Sequence, residues 1–254
     1  MLHKKTLAAI TTHALTEYPR ESCGLIVRVG RKEAYRPCTN LEAGLGQFRM
    51  AAQDWADAED AGRILAVVHS HPDAPATPSE ADRAACEATG LPWIIASVRD
   101  GAVADVHQFA PSGWQAPLLG RQFFHGVLDC YTLIRDWYRR EAGIELLDFE
   151  RADDWWNQGQ DLYMQGFAKT GFTRLPEGAV LQPGDVILMA VRSPVANHAG
   201  IYLGQRPLQE APGLHPVPNA MLHHLYGRLS ERVVYGGHWQ ETTRAVVRHK
   251  DLTQ

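Results

Sequence analysis

The sequence predicts an α+β protein built from two domains in tandem, and three observations carry that reading. The chain has 254 residues, close to the roughly 250 to 300 at which single cores stop growing, whereas domains commonly hold about 100 to 150. Residues 110–121 (Ala-Pro-Ser-Gly-Trp-Gln-Ala-Pro-Leu-Leu-Gly-Arg) carry prolines and glycines without any hydrophobic period, which marks a boundary. Before this break helices and strands alternate; after it a helix comes first and strands follow, an α+β order. The expected division is 1–110, a linker at 111–121, and 122–254.

Leu7, Ile10, Ala14 and Leu15 at helical spacing predict a first helix within 3–18, stopped by Tyr18-Pro19. Cys23 to Val29 is a near-continuous apolar strand, and Gly30-Arg31-Lys32 turns it into a second strand at Ala34 to Arg36. A polar helix follows at Asp54 to Ala61, then a buried strand at Ile64 to Val68 that ends in His69-Ser70-His71-Pro72. The next helix has start signals in Thr77 as N-cap, Pro78 at the first helical position and Glu80 as the capping-box partner. Trp93 to Val98 is another buried strand, paired with Val103 to Phe109 across Asp100-Gly101. In the second half, Cys130 to Arg140 has Leu133, Ile134 and Trp137 on one helical face. Residues 145–175 are rich in aromatics, and strands are expected at Val186 to Met189, Ala199 to Leu203 and Leu222 to Leu225.

Composition excludes several function classes. Lys plus Arg is 25 and Asp plus Glu is 29, so the formal net charge of −4 provides no basic field for phosphate, and nucleic acid is not an expected partner. Cys23, Cys38, Cys86 and Cys130 are too scattered for a disulfide scaffold and form no C-x-x-C pair, which fits a reducing compartment. The apolar stretch Leu7 to Ile10 is too short for a secretory core, and no run approaches the roughly 20 apolar residues of a membrane span. The expected location is the cytoplasm.

The first constellation is Glu21 with His69, His71, Ser79 and Asp82. His69 and His71 stand two apart at a strand end, so both imidazoles leave the same face and can converge on one ion. Ser79 and Asp82 stand three apart in a first helical turn and also share a face. A His, His, Asp set leaves a fourth tetrahedral position of Zn²⁺ for water, the layout of a catalytic site, and Glu21 before the first strand could take that water's proton. Glu upstream, His-Ser-His-Pro, seven further positions to Ser79 and Asp three beyond it resemble the JAMM motif of the MPN-domain metallopeptidases, E…H-x-H-x(7)-S-x-x-D. Glu-Ser-Cys-Gly (Glu21 to Gly24) is similar to that family's glutamate-bearing strand start. The resemblance covers residues 1–108. It implies an α-β-α domain in which His69, His71 and Asp82 hold zinc, Glu21 is the acid/base and Ser79 stabilises an oxyanion, in an enzyme for peptide or isopeptide bonds.

The second constellation is Cys130 with His198 and a later histidine. Asp129-Cys130 opens a helix, whose free N–H groups and dipole favour thiolate. His198 begins the strand His-Ala-Gly-Ile-Tyr-Leu-Gly and could be the base if that strand packs on the helix. His223 or His224 could orient it from the next strand, and His215 on the proline-rich loop 205–220 is a weaker candidate. Asp-Cys, Gln-Pro-Gly-Asp-Val-Ile (Gln182 to Ile187) and the His198 strand resemble the NlpC-type papain-like cysteine peptidases over residues 122–240. That likeness implies Cys130 as nucleophile, His198 as base and His223 as third member, acting on peptidoglycan stem peptides. The remaining histidines are expected to be solvated or core residues.

The tandem of these domains, with Leu222 to Ser230 and Val234 to Gly237, resembles the tail-assembly proteins of lambda-like tailed bacteriophages. This implies a tail-tip component made in the host cytoplasm, with other tail tip proteins as partners and a place at the virion tail tip. The alternative is a structural assembly protein in which one or both peptidase sites are vestigial.

Overall fold

The computed structural model describes residues 2–152 and 154–252. The chain divides into two compact units, Met1–Gln115 and Ala116–Gln254, each with its own core.

The N-terminal unit runs α1 (Lys4–Glu17), β1 (Cys23–Val29), β2 (Lys32–Cys38), α2 (Ala52–Ala61), β3 (Arg63–Pro72), α3 (Glu80–Thr89), β4 (Trp93–Arg99) and β5 (Ala102–Phe109). Its sheet has the order β2-β1-β3-β4-β5. The pairs are antiparallel except β3 with β4, which run parallel and are joined through α3. Side chains alternate across the sheet. Ile26, Ala66, Val68 and Ile94 gather on one face with Ile10 of α1, while Leu25, Val27 and Val67 gather on the other with Ala58 of α2 and Cys86 of α3. The result is an α-β-α sandwich. His69 and His71 share the parity of Val67, so β3 delivers both to the α2/α3 side, and the strand extends through them to Pro72, beyond the apolar run.

One helix start differs from expectation. The N-cap of α3 is Ser79, and Asp82 at the third helical position completes the capping box; Thr77 and Pro78 precede the helix and Glu80 is its first residue. Ser79 wins because its hydroxyl accepts from Asp82 N at 3.1 Å while Asp82 Oδ2 accepts from Ser79 N at 2.8 Å, a reciprocal pairing that satisfies two helix-end donors.

The C-terminal unit contains α4 (Cys130–Trp137), α5 (Leu162–Gly166), β6 (Phe172–Arg174), β7 (Val186–Met189), β8 (His198–Gly204), β9 (Ala220–His223), β10 (Glu231–Val234), α6 (His238–Glu241) and β11 (Thr243–His249). Its sheet is antiparallel with the order β10-β9-β8-β7-β11-β6. Leu133, Ile134 and Trp137 of α4 pack with Leu188, Ala199, Ile201, Leu222 and Val247, so the cysteine's helix lies on the central strands. The α-helix ends at Trp137 and continues as a π-helical turn over Tyr138–Ala142. The third predicted strand sits two residues earlier, at Ala220–His223, which leaves His224 just past its end. Residues 116–121, expected as linker, belong to this unit: Leu118 is in its core, and the wholly buried Arg121 donates from Nη1 to Asp136 at 2.6 Å. Their proline- and glycine-containing backbone is irregular, but Ala116, Leu118 and Arg121 are buried.

Candidate functional site

The first constellation comes together in the N-terminal unit. Antiparallel pairing sets Cys23 opposite His69, and the bond from Ser70 N to Ser22 O carries the register further, bringing Glu21 in beside His71. His69 Nε2 lies 3.0 Å from His71 Nε2, 3.1 Å from Asp82 Oδ1, and His71 Nε2 lies 3.4 Å from Asp82 Oδ2. Ligand atoms of the three residues all fall within 4.8 Å of one another. The ring of His69 is fixed by stacking on Phe48 (4.8 Å) and by the edge of Trp93 (5.5 Å).

The donor set fits a divalent metal. His71 Nδ1 lies 2.7 Å from the Pro75 carbonyl, so it carries the proton and Nε2 presents a lone pair. Two Nε2 atoms 3.0 Å apart must share one proton or face a common cation, and a carboxylate stands against both. Two imidazoles and a carboxylate form the borderline N/O set that zinc prefers.

Charge in this cluster is built in. Burial opposes the ionised Asp82, but hydrogen bonds from His69 and His71 and from the Ser79 backbone outweigh it and hold the carboxyl far below its usual range. Burial opposes a charged His71 too; its bonds to Asp82 and the Pro75 carbonyl prevail and raise it. Glu21 is only 5% exposed, and burial pushes its carboxyl up against the lowering pull of His69 and His71. Ser79 Oγ donates to Asp82 Oδ2 at 2.8 Å, so the cap of α3 and the Asp82 carboxylate are one hydrogen-bonded unit.

In the C-terminal unit, Asp129 caps α4 and places Cys130 at its first position. The Asp129 carboxylate accepts from Thr132 N (2.8 Å), Gly126 N (3.0 Å) and Arg151 Nε (2.9 Å). Burial raises that carboxyl, but Arg151 and these donors overcome it and keep it ionised. Cys130 and His198 line one cavity of about 590 Å³, and the Cys130 sulfur accepts from the backbone N–H of Ala199. His198 Nε2 lies 3.0 Å from His223 Nδ1. The Trp239 ring packs edge-on to His223 at 4.5 Å and lies 6.2 Å from His198. Asn197 clamps the preceding loop by exchanging two hydrogen bonds with Val191.

The structure thus places His223 on His198. His224 faces Phe123 instead (5.0 Å), and His215 lies exposed on its loop. His125 and His238, expected as solvated or core residues, line the Cys130 cavity.

The electrostatics differ from the simple expectation for a helix N-terminus. Burial, followed by the adjacent Asp129 charge, pushes the Cys130 thiol up to about 11, so the resting group is neutral. Burial also drives His198 well below its usual range and brings His223 and His224 down to about 4.

Residues 3–111 match the family of prokaryotic homologs of the JAB domain, and residues 120–248 match the NlpC/P60 family. Over 254 residues the chain is 42% identical to tail tip assembly protein K of Escherichia phage N15, a match that spans 99% of this chain and 97% of that protein. The chain belongs to the tail tip assembly protein K family. It is also 42% identical over 201 residues to tail tip assembly protein K of Escherichia phage lambda, covering 79% of this chain and 89% of that protein. A solved protein from Salinibacter ruber shares 30% identity over 42% of this chain and 79% of its own, with a TM-score of 0.33.

The JAB-like and NlpC/P60 domains of this family member are of peptidase type. Among the described residues, no helix is long and apolar enough to cross a membrane. Sequence reasoning missed Arg151, Tyr163 and Trp239. Each lies 16 or more residues from its partner at the site and sits in an aromatic or irregular stretch with no period, so no local signal pointed to them.

Proposed function

We propose that this chain is a tail tip hydrolase whose C-terminal unit cleaves peptidoglycan stem peptides and whose N-terminal unit is a zinc-dependent peptidase or isopeptidase. The observation that carries the first half is that Cys130 and His198 line one cavity, with His223 behind His198 and 3.0 Å from its Nε2. If His198 donates through Nε2 to His223, its Nδ1 is left to accept the Cys130 proton. The sulfur then bonds to the scissile carbonyl carbon, the C–N bond breaks, and the proton held by His198 passes to the leaving nitrogen. Water, deprotonated by His198, attacks the thioester and the thiolate leaves. Exposed Arg192 and Arg228 line the same cavity, with His125 and His238 beside them, while its one carboxylate, Asp129, is neutralised by Arg151. Such a rim suits the carboxylates of a stem peptide.

In the N-terminal unit His69, His71 and Asp82 would hold the metal, which when bound supplies Lewis acidity and a water with a pKa near 7. Glu21, raised by burial, is suited to take a proton and return it to a leaving amine. Ser79 Oγ, now donating to Asp82, would turn toward the substrate oxygen. In this reading the protein is made in the host cytoplasm, assembles with other tail tip proteins and reaches its substrate from the tail tip. The activities are assigned to 1–110 and 122–254.

Mass spectrometry of diaminopimelate-type muropeptides, run with a thiol alkylator and separately with a zinc chelator, tests the proposal. A new stem-peptide cut abolished by the alkylator alone supports it; no cut under any condition counts against it. A second reading, an assembly protein with a silent cysteine site, is favoured by the neutral resting thiol. Full infectivity of a Cys130→Ala phage would decide for that reading.

A further inference from the structure

The Cys130 sulfur has a neighbour that the nucleophile-base scheme does not use. Tyr163 of α5 reaches it from 33 residues further along the chain, with its hydroxyl 3.1 Å from Sγ. The ring is held from two sides, edge-on to Trp155 at 6.0 Å and to Tyr131 at 6.4 Å. Asp161 caps the short helix that carries it, accepting from Met164 N. Tyr163 lines the same cavity as Cys130 and His198.

This hydroxyl faces an electrostatic deficit. Taking the proton from Cys130 creates an anion beside the buried Asp129 carboxylate, and the base that would take it, His198, is itself held neutral by burial. Arg151 is committed to Asp129 and Asp148, so it cancels the existing charge and does not reach the sulfur as a donor. The groups able to donate to Sγ are the Ala199 N–H and the Tyr163 O–H. A phenol so placed stays protonated, because burial and the neighbouring thiol both oppose its ionisation. It therefore keeps a proton to donate to the sulfur once the thiol proton has left.

We infer that Tyr163 is a catalytic residue of the cysteine site, donating a hydrogen bond from its hydroxyl to the Cys130 sulfur as the thiol proton passes to His198. The S–H bond breaks, the proton rests on His198, and the anion left on sulfur is held by Tyr163 O–H and Ala199 N–H. Hydrogen bonds to charged groups are roughly twice as strong as neutral ones, so the contact favours thiolate over thiol. The assignment rests on the peptidase reading above, but its test needs no substrate.

The test is the pH profile of Cys130 alkylation by iodoacetamide in the full-length chain, quantified on the Cys130 peptide, for the natural protein and Tyr163→Phe. Removal of the donor should shift the midpoint upward by about one pH unit and slow alkylation roughly tenfold at pH 8. Superimposed profiles overturn the inference. Should the phenylalanine variant not fold, 3,5-difluorotyrosine at position 163 tests the same bond, since a more acidic phenol is a better donor and must lower the midpoint; an unchanged midpoint overturns the inference equally. A shifted profile in a protein that cuts no muropeptide supports the Tyr163 assignment and counts against the proposed substrate.

Discussion

Acid should loosen the C-terminal unit through its buried histidines. His198, His223 and His224 are 4% exposed or less, and burial holds all three below their ordinary range, His223 and His224 at about 4. A group whose pKa is lower when folded stabilises the fold above its unfolded value and loses that contribution as pH falls through the folded value. The window therefore runs from about pH 6.5 down to about pH 4. One histidine shifted this far contributes about 3 kcal/mol at neutral pH, of which about 2 kcal/mol is gone by pH 5. The three repel one another once charged, which only deepens their depression, so the trio together should lose about 5 to 6 kcal/mol by pH 5. Pulse hydrogen exchange across a urea series, read on peptides from β8 and β9, measures this unit alone. With a typical urea dependence of about 1 to 3 kcal/mol per molar, the midpoint should fall by about 1 M or more between pH 7 and pH 5. A midpoint that does not move, or that moves equally in His223→Gln, refutes the reasoning.

Three other perturbations follow from the same geometry. His71→Ala should reduce bound zinc from about one equivalent to a small fraction, measured by elemental analysis after gel filtration, because three protein ligands become two. Arg151→Leu leaves the Asp129 carboxylate buried without its partner and should cost about 3 to 5 kcal/mol, visible as a lowered thermal midpoint. Gly200→Ala would put a Cβ 2.7 Å from Met221 Sδ and 3.1 Å from the Leu222 carbonyl, forcing β8 from β9; the expected loss is about 1 to 3 kcal/mol, with weakened coupling between His198 and His223 in a histidine NMR titration.

How much of this was legible in the sequence depends on the range of the interaction that creates each feature. The His69/His71 face was readable because strand alternation fixes it locally, and Ser79 with Asp82 because three residues span one helical turn. The same spacing is what makes Ser79 the cap, a competition that Thr77 and Glu80 obscured. In the C-terminal unit β6 has only three residues, and β10 is a short outer strand of partly exposed residues. Both are defined by partners rather than by pattern. The strand β11 does alternate, burying Ala245, Val247 and His249, but its place between β7 and β6 rests on pairing across about 60 residues, which no local signal carries. The choice among His223, His224 and His215 likewise needed the β8–β9 register, which sets Gly200 opposite His223 and leaves His224 beyond the pair.

The two sites solve opposite electrostatic problems. In the first, charge is permanent: Asp82 stays ionised, both imidazoles stand against it, and His71 is raised rather than lowered. A raised histidine stabilises its unit below the unfolded value and loses that contribution as pH rises through the folded one, so His71 adds no acid sensitivity, and the depressed Asp82 carboxyl withdraws its contribution only below the ordinary carboxylate range, at lower pH than the histidines of the neighbouring unit. In the second, charge is deferred: the thiol and three histidines rest neutral, and Arg151 cancels the one carboxylate. On the proposed mechanism the ion pair of Cys130 and His198 is then made at the moment of reaction, against burial, by the few donors that reach the sulfur. A chelator should therefore act on the first unit and leave the second intact, whereas removal of the Tyr163 hydroxyl should act on the second alone. Measured on one chain, that pair of responses separates two chemistries that a single assay of hydrolysis would merge.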